Sequence, residues 1–118
     1  MSIAHIKSNA RMSQAVVHQG TVYLSGQVAD DTSVGMREQT QQILDNIDLL
    51  LTSTGSSREA LLSATIWITD MTDFADMNTA WDNWIADHRP PARVCVEAKL
   101  AKPEWKVEIM VIAALQDV

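Results

Sequence analysis

An arginine, a cysteine and a glutamate near the C-terminus are the side chains best suited to chemistry. Arg93 follows Pro90, Pro91 and Ala92 and opens an alternating run. Its guanidinium presents planar, bidentate donors that match a carboxylate, so it reads as an anchor for an anionic substrate. The plainer reading is a strand-end cation paired with Glu97 or Glu108. Glu108 lies between Val107 and Ile109. A carboxylate among apolar neighbours acquires a raised pKa and can work as acid or base; alternatively it sits at an interface against an Arg or Lys. Cys95 falls on the same strand face as Arg93, and a thiolate beside a cation would be a nucleophile. No histidine accompanies it, so we read Cys95 as a small packing residue whose main chain lines a pocket. Ser25 and Gly26 end an earlier strand. Ser25 lacks a G-x-S-x-G elbow, which leaves it a hydrogen-bonding or plain strand-end role. Gly26 permits close backbone approach by a ligand.

Other chemistries find little support. His5, His18 and His88 are isolated, and one cysteine makes neither a zinc site nor an internal disulfide, so we expect no metal. There is no G-x-G-x-x-G or Walker loop, hence no nucleotide-fold signal and no expected cofactor. Nine basic against 15 acidic residues give a formal charge of −6. The cations are scattered or interrupted by Glu97, Glu104 and Glu108, so the basic footprint of a nucleic-acid binder is missing. An anionic small molecule still needs only one well-placed Arg. With 118 residues, 47% apolar, the chain is sized for one domain spanning 1–118 with a real core. No apolar run reaches the roughly 20 residues of a membrane span, and no secretory leader is visible. A cytoplasmic location is the default expectation.

These residues must be positioned by alternating strand and helix patterns. Ala15–His18 and Thr21–Ser25 flank Gln19-Gly20, a two-residue hairpin turn, with Ile3–Lys7 as a short extra strand. Ser33 is placed to cap a helix over Val34–Thr54, whose inner face carries Met36, Ile43, Ile47, Leu50 and Leu51, with Gly55 at its C-cap. Ser56-Ser57-Arg58-Glu59 has capping-box spacing and suggests a short helical turn. Ser63–Thr69 is a β-branched strand. Thr72 or Asp73 caps a second helix running to about His88, where Pro90-Pro91 forbids more. In Ala92–Leu100 the alternation assigns Val94 and Val96 to the core and Arg93 and Cys95 to the outer face. In Trp105–Leu115 it assigns Val107, Ile109, Val111, Ala113 and Leu115 to the core, leaving Met110, Ile112 and Ala114 outside. A half-apolar outer face wants a partner, and a homo-oligomer follows. The order ββαβαββ predicts an α+β fold: one mixed sheet with two helices on one face.

Together these pieces resemble a known family. Pro91–Glu97 (PARVCVE) with Val107-Glu108-Ile109 is similar to the C-terminal signature of the YjgF/RidA family of reactive-intermediate deaminases. Ser25-Gly26-Gln27 resembles its first motif, and Ala64–Ala80 (ATIWITDMTDFADMNTA) its central strand-and-helix segment. The resemblance spans roughly residues 13–115. It implies a chorismate-mutase-like fold, a homotrimer with pockets between subunits, and hydrolysis of 2-imino acids such as 2-iminopropanoate and 2-iminobutanoate to 2-keto acids and ammonia, without metal or cofactor. In that scheme Arg93 grips the substrate carboxylate, Glu108 holds or activates water, and Ser25, Gly26 and Cys95 line the pocket. Where the family carries a loop tyrosine this chain has Met12 or Ser13, as in a divergent, YoaB-like branch. Competing expectations are a non-catalytic binding module for keto acids or similar carboxylates, which needs Arg93 but not Glu108, a ribonuclease, against which the charge of −6 argues, and a chaperone-like interaction protein.

Overall fold

The hairpin turn forms at the two residues that the sequence marks for it. Gln19 and Gly20 both adopt left-handed backbone, at φ 49° and 80°, the geometry that matches the twist of two antiparallel strands. In the computed structural model, which describes residues 2–116, β1 (Ala4–Ser8), β2 (Ser13–His18) and β3 (Thr21–Leu24) form a meander. There follow α1 (Met36–Thr54), a 3-10 turn at Arg58–Ala60, β4 (Leu61–Ile68), a second 3-10 turn at Met71–Asp73, α2 (Phe74–Ile85), β5 (Ala92–Glu97) and β6 (Val107–Ala114). The six strands make one sheet in the order β1-β2-β3-β6-β4-β5. Only β4 and β5, joined through α2, are parallel. The architecture is the expected mixed sheet under two helices; β1 extends the order to βββαβαββ.

The core lies between sheet and helices. Ile43, Leu44, Ile47, Leu50 and Leu51 of α1 and Met77, Trp81 and Trp84 of α2 pack on Val22, Leu24, Ala64, Ile66, Ile68, Val107, Ile109, Val111 and Ala113. Gly55 ends α1 in the left-handed region at φ 90°, as a C-cap glycine should.

Four local expectations need correction. Ser33 does not cap α1, because Asp31 accepts from both its N–H, at 3.0 Å, and its hydroxyl, at 2.6 Å. The cap is Gly35, without a side-chain bond. Helix α2 stops at Ile85, as Ala86 leaves the helical region and Asp87 turns left-handed at φ 67°. Strand β5 ends at Glu97, and β6 starts at Val107; residues 98–106 form a loop.

The fourth correction concerns which way β5 faces. Arg93 pairs with Ala64 and Cys95 with Ile66, whose side chains are buried under the helices. Arg93 and Cys95 therefore lie on the helix side, and Val94 and Val96, 56% and 44% exposed, lie on the open face. A period of two separates the faces of a strand without saying which is covered; on this edge strand the apolar set is on the uncovered side. The assignment for β6 holds within the strand, with Met110, Ile112 and Ala114 on the open face; Leu115, expected on the core face, lies past the strand end and is exposed.

Candidate functional site

Glu108 sits in a central strand opposite Trp67 of β4. Its carboxyl lies against Gly26, where an added Cβ would overlap it. Gly26 thus admits close approach by this carboxylate. Burial raises the Glu108 pKa above the ordinary carboxyl value, because desolvation disfavours the charged form. Among the described residues no cation pairs with it, so the ion-pair reading of Glu108 does not hold within the chain.

The Ser25–Gln27 segment is fixed by a chain of amides that the sequence reading did not single out. The Gln27 backbone exchanges hydrogen bonds with Ile109, at 2.8 and 3.1 Å, locking Gly26 beside Glu108. Its side-chain amide donates within reach of Gln14 Oε1 at 3.1 Å, the Ser25 carbonyl at 3.0 Å and the Ser25 hydroxyl at 3.2 Å. Asn46 of α1 donates to Gln27 Oε1. Ser25 itself donates to Gln14 Oε1 at 3.3 Å, so its hydroxyl belongs to this network. The sequence carries one signal, a polar Gln27 at the end of an apolar strand; the structure leaves it 4% exposed, and buried amides persist only when bonded.

Glu108 and Gly26 open onto a cavity of about 470 Å³, lined also by Met12, Val28, Trp105 and Ala101. A larger hollow, about 550 Å³, lies between Asp48, Arg58, Glu59 and His88. Its charged groups satisfy one another: Arg58 donates to Asp48 and to the Trp84 carbonyl, both at 2.7 Å, and His88 pairs with Glu59. We assign it a structural role, tying α1 to the end of α2.

Arg93 is held elsewhere. It donates to Asn78 Oδ1 at 2.9 Å and lies over the Trp81 ring, 5.3 Å from its centroid. It pairs with neither Glu97 nor Glu108; Glu97 accepts from the Met71 N–H instead. Two contacts to α2 thus fix the guanidinium, and the cation–π contact leaves its other donors free. Cys95 sits beside it. Burial pushes its thiol up, with the Arg93 charge offsetting part of the rise, so the sulfur is a thiol at neutral pH and not an activated nucleophile.

One chain does not bring Arg93 and Glu108 together. They lie on opposite faces of the sheet, and the register sets them three positions along and two strands across. That is about 10 Å in each direction. Among the described residues no three His, Cys, Asp or Glu side chains gather as a metal site would require, and no helix is long and apolar enough to cross a membrane.

Comparison with known proteins supplies a context. The model of the family described as endoribonuclease L-PSP matches residues 2–115. A RutC family protein of Haemophilus influenzae is 45% identical over 114 residues, covering 96% of this chain and 98% of its own length. The RutC family protein YoaB of Escherichia coli is 41% identical over 115 residues, covering 98% and 100%. The crystal structure of a YjgF family member from Neisseria meningitidis superposes with a TM-score of 0.96 at 43% identity, covering 100% of this chain and 98% of that one.

Proposed function

This chain belongs to the endoribonuclease L-PSP family, to which the YjgF and RutC proteins are its relatives, and we propose that it is an imine deaminase converting reactive 2-imino acids to 2-keto acids and ammonia. The observation that carries the reading is Glu108: a half-buried, unpaired carboxylate with a raised pKa on the wall of a cavity. A general base works best when its pKa approaches the working pH.

In the proposed reaction Glu108 takes a proton from water as the oxygen adds to the iminium carbon. A carbinolamine results. The same carboxyl then returns the proton to nitrogen, the C–N bond breaks, and the carboxylate takes the hydroxyl proton as the carbonyl forms; that proton passes to the departing ammonia, which leaves as ammonium and carries away the positive charge of the iminium. One water is consumed, no electron changes hands, and no metal or cofactor is needed. Arg93 binds the substrate carboxylate.

The two halves meet in a homotrimer, where Arg93 of one subunit approaches the Glu108 cavity of another. Two observations support this. The halves face opposite ways within one chain. The open sheet face also carries Val94, Val96 and Tyr23, each exposed, alongside Met110 and Ile112, an apolar surface that calls for cover. The endoribonuclease in the family's description is less well supported here, since a polyanionic substrate would meet a chain of net charge −6.

The test generates 2-iminopropanoate and 2-iminobutanoate in situ with an amino-acid oxidase or dehydratase and follows decay of the imine and release of ammonia. The protein should accelerate both, and Glu108→Gln should lose about 10²–10⁴-fold of that acceleration. No acceleration by the parent protein would refute the reading. Full activity in Glu108→Gln would remove Glu108 from the mechanism.

A further inference from the structure

Trp105 lies in the loop before β6, and its placement is unusually constrained. The side chain of Gln39, fully buried in α1, bonds the peptide groups on both sides of it. Its amide donates to the Glu104 carbonyl at 3.2 Å, and its oxygen accepts from the Lys106 N–H at 3.0 Å. The Lys102 ammonium lies over the indole ring, 5.1 Å from the centroid. A loop residue is thus anchored on both sides by a buried side chain while it lines the Glu108 cavity.

The remaining wall is mostly apolar in effect. Gln14, Gln27 and Asn46 line it too, but their amides bond one another. Met12, Val28, Ala101 and Trp105 supply the apolar surface, and Asp30 adds a carboxylate. On one chain the cavity measures about 470 Å³, room for some fifteen waters at about 30 Å³ each before an arginine from a second subunit enters. A three-carbon imino acid would leave much of that wetted.

We infer that this wall selects 2-imino acids with large apolar side chains, of leucine to phenylalanine size. The inference rests on the deaminase reading for the position of the reacting carbon. Apolar side chains displace water from Trp105 and Met12, and Asp30 repels a second carboxylate, which disfavours acidic side chains.

Binding of stable 2-keto acids tests this without turnover. Isothermal titration calorimetry with pyruvate, 4-methyl-2-oxopentanoate, phenylpyruvate and 2-oxoglutarate should give the two bulky apolar acids a Kd about tenfold or more below that of pyruvate, with 2-oxoglutarate weakest. Trp105→Ala should weaken the bulky acids far more than pyruvate. Met12→Ala, at a half-exposed position outside the core, should move the ratio the same way should Trp105→Ala not fold. Equal or tighter binding of pyruvate, an unchanged ratio in a folded variant, or no binding of any keto acid overturns the inference. A retained preference for bulky acids in a protein that releases no ammonia sinks the deaminase reading alone and supports the selectivity of the wall.

Discussion

Gly26→Ala should separate catalysis from folding at a single methyl group. The added carbon would sit 2.9 Å from Glu108 Cδ and 3.1 Å from Cγ, where ordinary contact begins at 3.4 Å. The carboxyl must therefore retreat by about half an ångström at its carbon and further at its oxygen, and misplacement on the order of 1 Å costs about 10²-fold in rate. Stability should suffer little, because the obstructing atoms end a flexible side chain and Gly26 is not in the left-handed region. Removing the obstruction reverses the sign. In a Glu108→Ala background those atoms are gone, and Gly26→Ala should stabilise by about 0.4–1 kcal/mol through the lost freedom of the unfolded chain. The assay is urea unfolding of the four members of the cycle, with imine hydrolysis measured for Gly26→Ala and for Glu108→Gln with and without it. The rate losses should not add, since both changes act on one carboxylate. Parent activity in Gly26→Ala, or the same stability change in both backgrounds, would refute the claim that Gly26 exists to seat Glu108.

Three further outcomes follow from the same geometry. Refolding Arg93→Ala together with Glu108→Gln in equal amounts should restore about a quarter of parental activity, the fraction of interfaces pairing an intact Arg93 with an intact Glu108 in a randomly mixed trimer; a site within one chain would restore none. Glu108→Gln should melt higher than the parent at neutral pH. Its folded pKa is raised, so the native state holds its proton more tightly and the parent loses stability as pH rises through that value; the difference should vanish below the ordinary carboxyl value of 4.5, as thermal melts across pH will show. Cys95→Ala should keep most activity in steady-state assays, because the thiol is protonated and packed.

Much of the fold was legible because its signals are local. The Gln19-Gly20 turn, the inner face of α1 and the Gly55 cap each depend on residues within a turn or two. The errors have a common origin in tertiary context. Ser33 has the right chemistry for a cap, yet Asp31 competes for it. Val94 and Val96 look like core because apolar side chains usually are, but the edge position of β5 beside β4 exposes them. Glu108 and Arg93 were readable as residue types with suitable chemistry. That they face opposite ways was not, because it depends on β6 inserting between β3 and β4 and on a parallel β4–β5 register. Gln14, Asn46 and Gln39 escaped notice for the same reason, as did the bonding role of Gln27 within its motif: an amide shows its partners only when residues distant in sequence are brought beside it.

The distribution of the two charged groups across the sheet fits the work proposed for each. An arginine stays protonated in almost any setting, so its position can be chosen for reach. An edge strand offers that reach, with Trp81 and Asn78 holding one side of the guanidinium and its remaining donors left for a ligand. A carboxylate must have its basicity tuned, and burial does the tuning. Glu108 accordingly occupies a central strand, flanked by fully buried Val107 and Ile109 and pressed against a residue with no side chain. Exchanging the positions would leave the arginine paying desolvation at the centre and the carboxylate solvated at the edge, with its pKa unraised. The cost of the observed arrangement is that the two groups cannot meet within one chain, so the proposed chemistry requires assembly.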